Sequence, residues 1–346
     1  MSSVSAQLID RPLPPVSGSS GLTQGRYGDR GNLELVAPDL HDGFWVFWFN
    51  GDAVQHRHDV LHGSWSAGLH VPTGGRRLLS VRITQVPFGP DYLEVIGRLA
   101  TTGLHRWYWT PADGFVDGGA VAPTSSAEPA RMILLRGAPA VLCVRGERVE
   151  QVVASVRDYP ALSWRADDVL PTLGIGAAVT SADWDASGDQ VVALVVTDGR
   201  GQLLRHGADG AWTPAGALPG SWLSAQIHLL GDGSAVVTGQ NSAGQVTIGA
   251  ISLRDPTVTS GWYRSRAPVD DVQACLSTLP AEGDEPQRDR SPALTLEVVA
   301  RTGASPHARC AGTAPMTTTP RSTPAYGRER RRQSMRCTMV LLKKYR

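Results

Sequence analysis

Five of the nine histidines in this 346-residue chain, His41, His56, His58, His62 and His70, fall in one short stretch near the N-terminus. On an extended strand His56 and His58 share a face, which is the spacing of a metal-binding pair. Asp42, Asp52 and Asp59 are near in sequence, yet no carboxylate or cysteine completes an obvious ligand set. The expected role is therefore solvated or hydrogen-bonding histidine at a strand edge, and no metal is assigned. Nucleophilic chemistry finds no better footing. Ser64-Trp65-Ser66-Ala67-Gly68 has serine where a Gly-x-Ser-x-Gly elbow needs its first glycine. Gly68 to Arg76 holds glycines and basic residues without the Gly-x-x-x-x-Gly-Lys-Ser/Thr pattern of a phosphate loop. Cys143, Cys275, Cys310 and Cys337 show no C-x-x-C spacing. Cys143 lies in an apolar run and reads as a reduced core residue, which suits a reducing compartment. No catalytic residue and no cofactor emerges.

The aromatic residues are spaced more regularly. Trp65, Phe115, Trp164, Trp212 and Trp262 are separated by 50, 49, 48 and 50 positions. A fixed period of this length marks a repeat architecture, and about 50 residues suits a four-stranded propeller blade. The sequence between the aromatics is β in character. Apolar runs such as Leu33-Glu34-Leu35-Val36-Ala37, Leu93-Glu94-Val95-Ile96 and Leu296-Glu297-Val298-Val299-Ala300 are followed by a turn, usually with glycine. A second run follows, as in Phe44-Trp45-Val46-Phe47-Trp48-Phe49 or Leu104-His105-Arg106-Trp107-Tyr108-Trp109. Such runs bounded by Gly, Asn and Asp read as strands joined by tight turns. With 38 Gly and 24 Pro, nearly every candidate helix is interrupted. The expected fold is all-β: a β-propeller of four-stranded blades with a period near 49 residues, five recognisable blades and a partial sixth.

The ends differ from the middle. Residues 1–24 are rich in Ser, Pro and Gly and read as a flexible leader, and 25–303 hold the repeats. Residues 304–346 carry ten Lys and Arg against a single acidic residue, Glu329. The net charge of the whole chain is only +1, so this tail of +9 sits on a body of −8. The aromatic due near residue 311 is missing, and both lysines of the chain, Lys343 and Lys344, are here. The tail is expected to be disordered or out of frame, and its removal should leave the blades unaffected. The competing reading makes Arg328-Glu329-Arg330-Arg331-Arg332 a basic arm for anionic surfaces, although no nucleic-acid partner is expected. Nothing matches a signal peptide or the roughly 18 apolar residues of a membrane span. The default location is cytoplasmic, with signal-independent release as the alternative.

Two propeller signatures fail. Ala208-Asp209-Gly210-Ala211-Trp212 keeps Asp, Gly and Trp but not the spacing or the serine of a sialidase turn, and only Gly74-Gly75 and Gly118-Gly119 offer a kelch-like glycine pair. A third fits. Gly31-Asn32-Leu33-Glu34-Leu35-Val36, then Gly43-Phe44-Trp45-Val46-Phe47-Trp48-Phe49-Asn50-Gly51-Asp52, resembles the blade opening of the PLL-like bacterial β-propeller lectins. Leu93-Glu94-Val95-Ile96 with Gly103-Leu104-His105-Arg106-Trp107 repeats the pattern, and Leu296-Glu297-Val298-Val299-Ala300-Arg301 begins it again. The resemblance implies a non-catalytic carbohydrate-binding protein with repeated weak sites between blades, often for fucose-type glycans, whose partners are glycans or glycoproteins. Sugar binding needs an aromatic face for the ring and polar groups for its hydroxyls. Trp65, Trp164 with Arg165, Trp212, and Trp262 with Arg264 are the candidates. Trp45, Trp48, Trp107 and Trp109 are expected to be packing residues. The alternative is a propeller scaffold for a protein partner, and behind it a glycoside-processing enzyme.

Overall fold

The β-branched and aromatic runs pair with their sequence neighbours across tight turns. In the first such pair, Asn32–Pro38 and Phe44–Asn50 run antiparallel, with Glu34 opposite Trp48 and Pro38 opposite Phe44. The turn between them depends on Gly43, whose φ is +73° and whose Cβ would lie 2.0 Å from the Val71 carbonyl oxygen. Glycine alone meets both conditions. The computed structural model describes residues 4–9, 14, 16–27, 31–51, 60–61, 63–88, 92–101, 103–122, 131–145, 148–170, 178–184, 190–230, 233–257, 259–278, 295–302 and 336–343. Among them are strands throughout and one 3-10 turn, Val156–Asp158. No helix is long and apolar enough to cross a membrane.

Setting aside β1 (Val4–Ile9), the strands fill six sheets in chain order. Blade I is β2 (Gly21–Gly25), β3 (Asn32–Pro38), β4 (Phe44–Asn50) and β5 (Leu69–Val71). Blade II is β6 (Leu78–Gln85), β7 (Leu93–Leu99), β8 (Gly103–Thr110) and β9 (Gly114–Ala122). Blade III is β10 (Ile133–Leu135), β11 (Ala138–Arg145), β12 (Arg148–Val153) and β13 (Arg165–Val169). Blade IV is β14 (Ala178–Trp184), β15 (Val191–Thr197), β16 (Arg200–His206) and β17 (Trp212–Ala217). Blade V is β18 (Trp222–Leu229), β19 (Ser234–Asn241), β20 (Gln245–Ser252) and β21 (Thr259–Pro268). These five are antiparallel meanders, one for each recognisable period of the sequence. Blade VI holds β22 (Asp271–Ser277) and β23 (Thr295–Thr302), completed by β24 (Arg336–Lys343) and β1. Here β24 runs parallel to both β23 and β1.

Apolar clusters fill the spaces between blades, and the sequence of clusters closes a ring. Val36, Phe44, Val81 and Trp107 join I to II. Ile96, Leu104, Met132 and Val141 join II to III, and Leu142, Val179 and Leu204 join III to IV. Leu194, Leu203 and Ile227 join IV to V, and Val236, Ile248 and Val298 join V to VI. The ring closes where Leu22, Leu35 and Phe47 meet Cys275 and Val299. Polar contacts reinforce that seam: the Ser20 backbone N–H donates to Asp271 Oδ2 at 3.0 Å, and Arg301 Nη2 donates to the Gly18 carbonyl at 2.7 Å.

The termini depart from their sequence reading. The stretch expected to be a flexible leader, 1–24, contains β1 and most of β2, and Val16, Ser20 and Leu22 are buried. Its Ser-Pro-Gly composition concealed this, because β2 takes its cover from the first strands of blades II and VI rather than from a long apolar run of its own. In the tail, residues 303–335 lie outside the described residues, and with them Cys310 and the basic run at 328–332. Residues 336–343 form β24 instead of continuing as basic coil. Thr338-Met339-Val340-Leu341-Leu342 has the composition of a strand, which the surrounding arginines masked.

Four of the periodic aromatics, Trp65, Phe115, Trp164 and Trp212, stand at or just ahead of the fourth strand of blades I to IV and pack back onto the preceding blade. Trp65, just ahead of β5, lies 5.7 Å from Phe49 in the cluster shared with blade VI. Phe115 on β9 meets Phe44 of blade I edge-on at 5.6 Å. Trp212 opens β17, and its indole N–H donates to Gln151 Oε1 of blade III at 2.8 Å. This explains the period physically, since each unit needs one large ring to fill the wedge that widens toward the rim. Replacing Trp212 by phenylalanine should keep most of the burial and leave Gln151 short of a donor. The expected loss is about 1–3 kcal/mol in equilibrium unfolding. A loss near zero would show that the indole bond is not formed.

Candidate functional site

Two of the cavities among the described residues differ in character. One lies on the propeller axis, where the first strands of all the blades converge, and is lined by Arg82, Arg131, Ser181, Gln226, His228 and Gln273 among others. It holds about 20 Å³, room for little more than one water molecule. The other opens between blades I and II and encloses about 290 Å³, at the small end of ligand clefts.

Blade I supplies Gly25, Arg26, Tyr27, Asn32 and Glu34 to this cleft, and blade II supplies Gln85, Tyr92, Leu93, Trp109 and Pro111. Alternation along β3 aims Asn32 and Glu34 at blade II, two residues apart on one face. Both are buried, Glu34 to 2% exposure. Asn32 Nδ2 donates to Glu34 Oε1, and Asn32 Oδ1 is buried without a partner among the described residues. Gly25 keeps the floor open, because a Cβ there would lie 2.5 Å from Asn32 Oδ1. At the rim the Arg26 backbone N–H donates to Gln85 Oε1 at 3.1 Å. Tyr27 and Trp109 meet edge-on across the mouth, their centroids 6.2 Å apart. The cleft thus presents aromatic walls above a buried carboxylate and amide. That is an arrangement for a small polyhydroxylated ring: apolar ring faces against the aromatics, hydroxyls against the acceptors.

In the neighbouring cleft the corresponding carboxylate is held by groups from blades II and III. Glu94 holds on β7 the place that Glu34 holds on β3, and it faces blade III. Arg106 of β8 grips it from both nitrogens, Nε to Oε2 at 2.6 Å and Nη2 to Oε1 at 2.8 Å. The Tyr159 hydroxyl donates to Oε1 at 2.8 Å. Burial pushes the Glu94 carboxyl above the usual range, against the pull of Arg106 and Tyr159. In blade I the position of Arg106 is taken by Val46, so no arginine enters from β4. A third glutamate, Glu297 on β23, stands in blade VI and is 7% exposed. The second strands of blades III, IV and V carry neither Asp nor Glu.

The residues nominated from the sequence are placed differently. Trp65 and Trp212 are buried in inter-blade cores, 7% and 4% exposed, and offer no free ring face to a ligand. Trp164 packs half-buried against the cluster between blades II and III, and its buried indole nitrogen has no partner among the described residues. Arg165 is exposed and pairs with Asp167 at 3.4 Å. Arg264 is exposed on β21, opposite Thr247. Trp262 lies in β21, but its side chain is outside the described residues, as are His56, His58 and His62. Conversely Trp109, expected to be a packing residue, borders the open cleft, because it and Tyr108 point to opposite faces of β8. Glu34 was not nominated. The signal for it was a lone carboxylate inside an apolar run, repeated at Glu94 and Glu297.

No protein-family model matches the chain, and no curated protein matches it in sequence. Solved structures do match. A variant of AofleA from Arthrobotrys oligospora aligns over 83% of this chain and 80% of its own, with 15% identity and a TM-score of 0.59. The SapL1 lectin, solved with alpha methyl fucoside, aligns over 75% of this chain and 85% of its own at 17% identity and a TM-score of 0.54. The BP39L lectin from Burkholderia pseudomallei covers 76% of this chain and 75% of its own, at 13% identity and a TM-score of 0.54. With identities this low the correspondence is one of architecture: the chain has the β-propeller fold of the PLL-like lectins.

Proposed function

We propose that this chain is a non-catalytic carbohydrate-binding propeller and that the cleft between blades I and II is a sugar site, with glycans or glycoproteins as partners. The observation that carries the reading is the cleft itself, about 290 Å³ in volume, with the Tyr27 and Trp109 rings at its mouth above the buried polar pair Asn32 and Glu34. The bound alpha methyl fucoside of the SapL1 lectin supports a monosaccharide of this class as the first probe. Glycoside cleavage uses two carboxyl groups about 5–10 Å apart, and among the described residues lining this cleft Glu34 is the single one. Sites need not recur in every blade, since among the described residues a buried glutamate stands in the second strand of blades I, II and VI only.

A glycan array with inhibition by free monosaccharide tests the reading. Signal is expected, and Glu34→Gln and Trp109→Ala should each weaken it about 10- to 100-fold in protein that still unfolds cooperatively. That range is the worth of a hydrogen bond to a charged group. Silence across the array, with a protein partner recovered in pull-downs, would favour the scaffold reading instead.

A further inference from the structure

The cleft between blades II and III has the same construction as the cleft between I and II, and it is filled from within. Besides Arg106 in the place of Val46, the difference lies in one connection. Blade II passes from β8 to β9 through the short turn 111–113, whose Pro111 stops at the rim of the I/II cleft. Blade III passes from β12 to β13 through the longer connection 154–164, which reaches back over blade II. That connection inserts Tyr159 between the blades. Its ring lies 5.4 Å from Phe88, 6.1 Å from Tyr92 and 6.3 Å from Tyr108. Its hydroxyl reaches Glu94, and the adjoining Pro160 carbonyl accepts from Arg106 Nη1 at 2.6 Å. The Arg106 guanidinium lies 5.5 Å from the centre of the Tyr159 ring.

We propose that Tyr159 is a built-in occupant, which closes a second sugar-binding cleft by placing a ring among its aromatics and a hydroxyl on its carboxylate. This rests on the sugar reading of the I/II cleft. The II/III cleft has the fuller set of groups. Glu94 accepts, Arg106 donates from Nη1, and Tyr92 and Tyr108 wall the space. A ring bearing two neighbouring hydroxyls would replace the Tyr159 hydroxyl on Glu94 and the Pro160 carbonyl on Arg106. The connection 154–164 therefore sets the number of sugars the propeller takes up, and the closed state is the one the folded chain adopts.

Calorimetric titration with alpha methyl fucoside tests this. Tyr159→Ala should take up one more equivalent than the unaltered protein, and Tyr159→Phe, which keeps the ring in place, should take up no additional equivalent. The extra equivalent should survive Glu34→Gln and disappear with Glu94→Gln. Uptake by the unaltered protein without an added equivalent in Tyr159→Ala overturns the closure alone. No uptake by any of these proteins counts against the sugar reading of both clefts. A measurement on the unaltered protein serves where Tyr159→Ala does not fold. In crystals soaked with alpha methyl fucoside, density is expected in the I/II cleft with Tyr159 still on Glu94. Sugar seated against Glu94 in that protein would overturn the closure.

Discussion

Replacing Arg106 with methionine is expected to cost about 3–5 kcal/mol of stability, the usual penalty for stranding one member of a buried ion pair. Arg106 and Glu94 are both fully buried, and the guanidinium grips both carboxylate oxygens. Its third contact, to the Pro160 carbonyl, ties the 154–164 connection to blade II. Methionine fills similar space but leaves Glu94 with only the Tyr159 hydroxyl. The carboxyl must then take up a proton or sit charged in an apolar wedge. A second replacement, Glu94→Leu in the Arg106→Met background, should recover most of the loss, because well-packed apolar pairs substitute for buried ion pairs at little cost. Urea denaturation of the single and double variants measures both. A single variant within about 1 kcal/mol of the parent would mean that water reaches Glu94.

Acid should destabilise the protein well before its carboxylates titrate, and His228 is the expected cause. Its ring is buried at the propeller axis, where burial and the positive charge of Arg131 push its pKa down from 6.5 to about 3. Its Nε2 has no hydrogen-bond partner among the described residues. The unfolded chain protonates this histidine as the pH falls below about 6.5, whereas the folded chain leaves it neutral until about 3. The unfolded state therefore binds more protons across that window. Stability is complete above the upper value and falls toward the lower one by at most about 1.4 kcal/mol per pH unit. The interval between about pH 6 and 4.5 lies above the ordinary Asp and Glu range, and comparison with a His228 variant separates this histidine from Glu94 and Asp183, whose carboxyls burial pushes up. His228→Gln keeps a polar side chain at the axis and should flatten this limb of the stability profile. An unchanged slope in that variant would show that His228 does not carry the acid sensitivity.

The two sites differ in how far they could be read in advance. The propeller was legible because its determinants are local and repeated. The repeated elements are alternating apolar strands, glycine turns such as Gly43 and, in blades I to IV, one large aromatic that packs on the blade before it. Nearest-neighbour packing writes the same requirement into every period, so Trp65, Phe115, Trp164 and Trp212 announced the architecture. That same requirement makes a regular aromatic a poor guide to ligand binding: its regularity comes from the core. What differs between blades marks the candidate site, and a single deviation carries no period. Glu34 and Glu94 look alike in sequence. One borders an open cleft and the other a filled one, because the β8–β9 turn is short and the β12–β13 connection is long enough to bring Tyr159 across. Trp109 and Tyr108 are adjacent in the chain yet face different blades, so only the pleat and the ring of blades decide which of them lines the opening. His228 is a lone histidine in a strand until the convergence of first strands buries it beside Arg131. Spacing along the chain determined the blades. The wedge between two blades, the reach of one connection and the crowding at the axis are properties of the closed ring, and they decided where the chemistry lies.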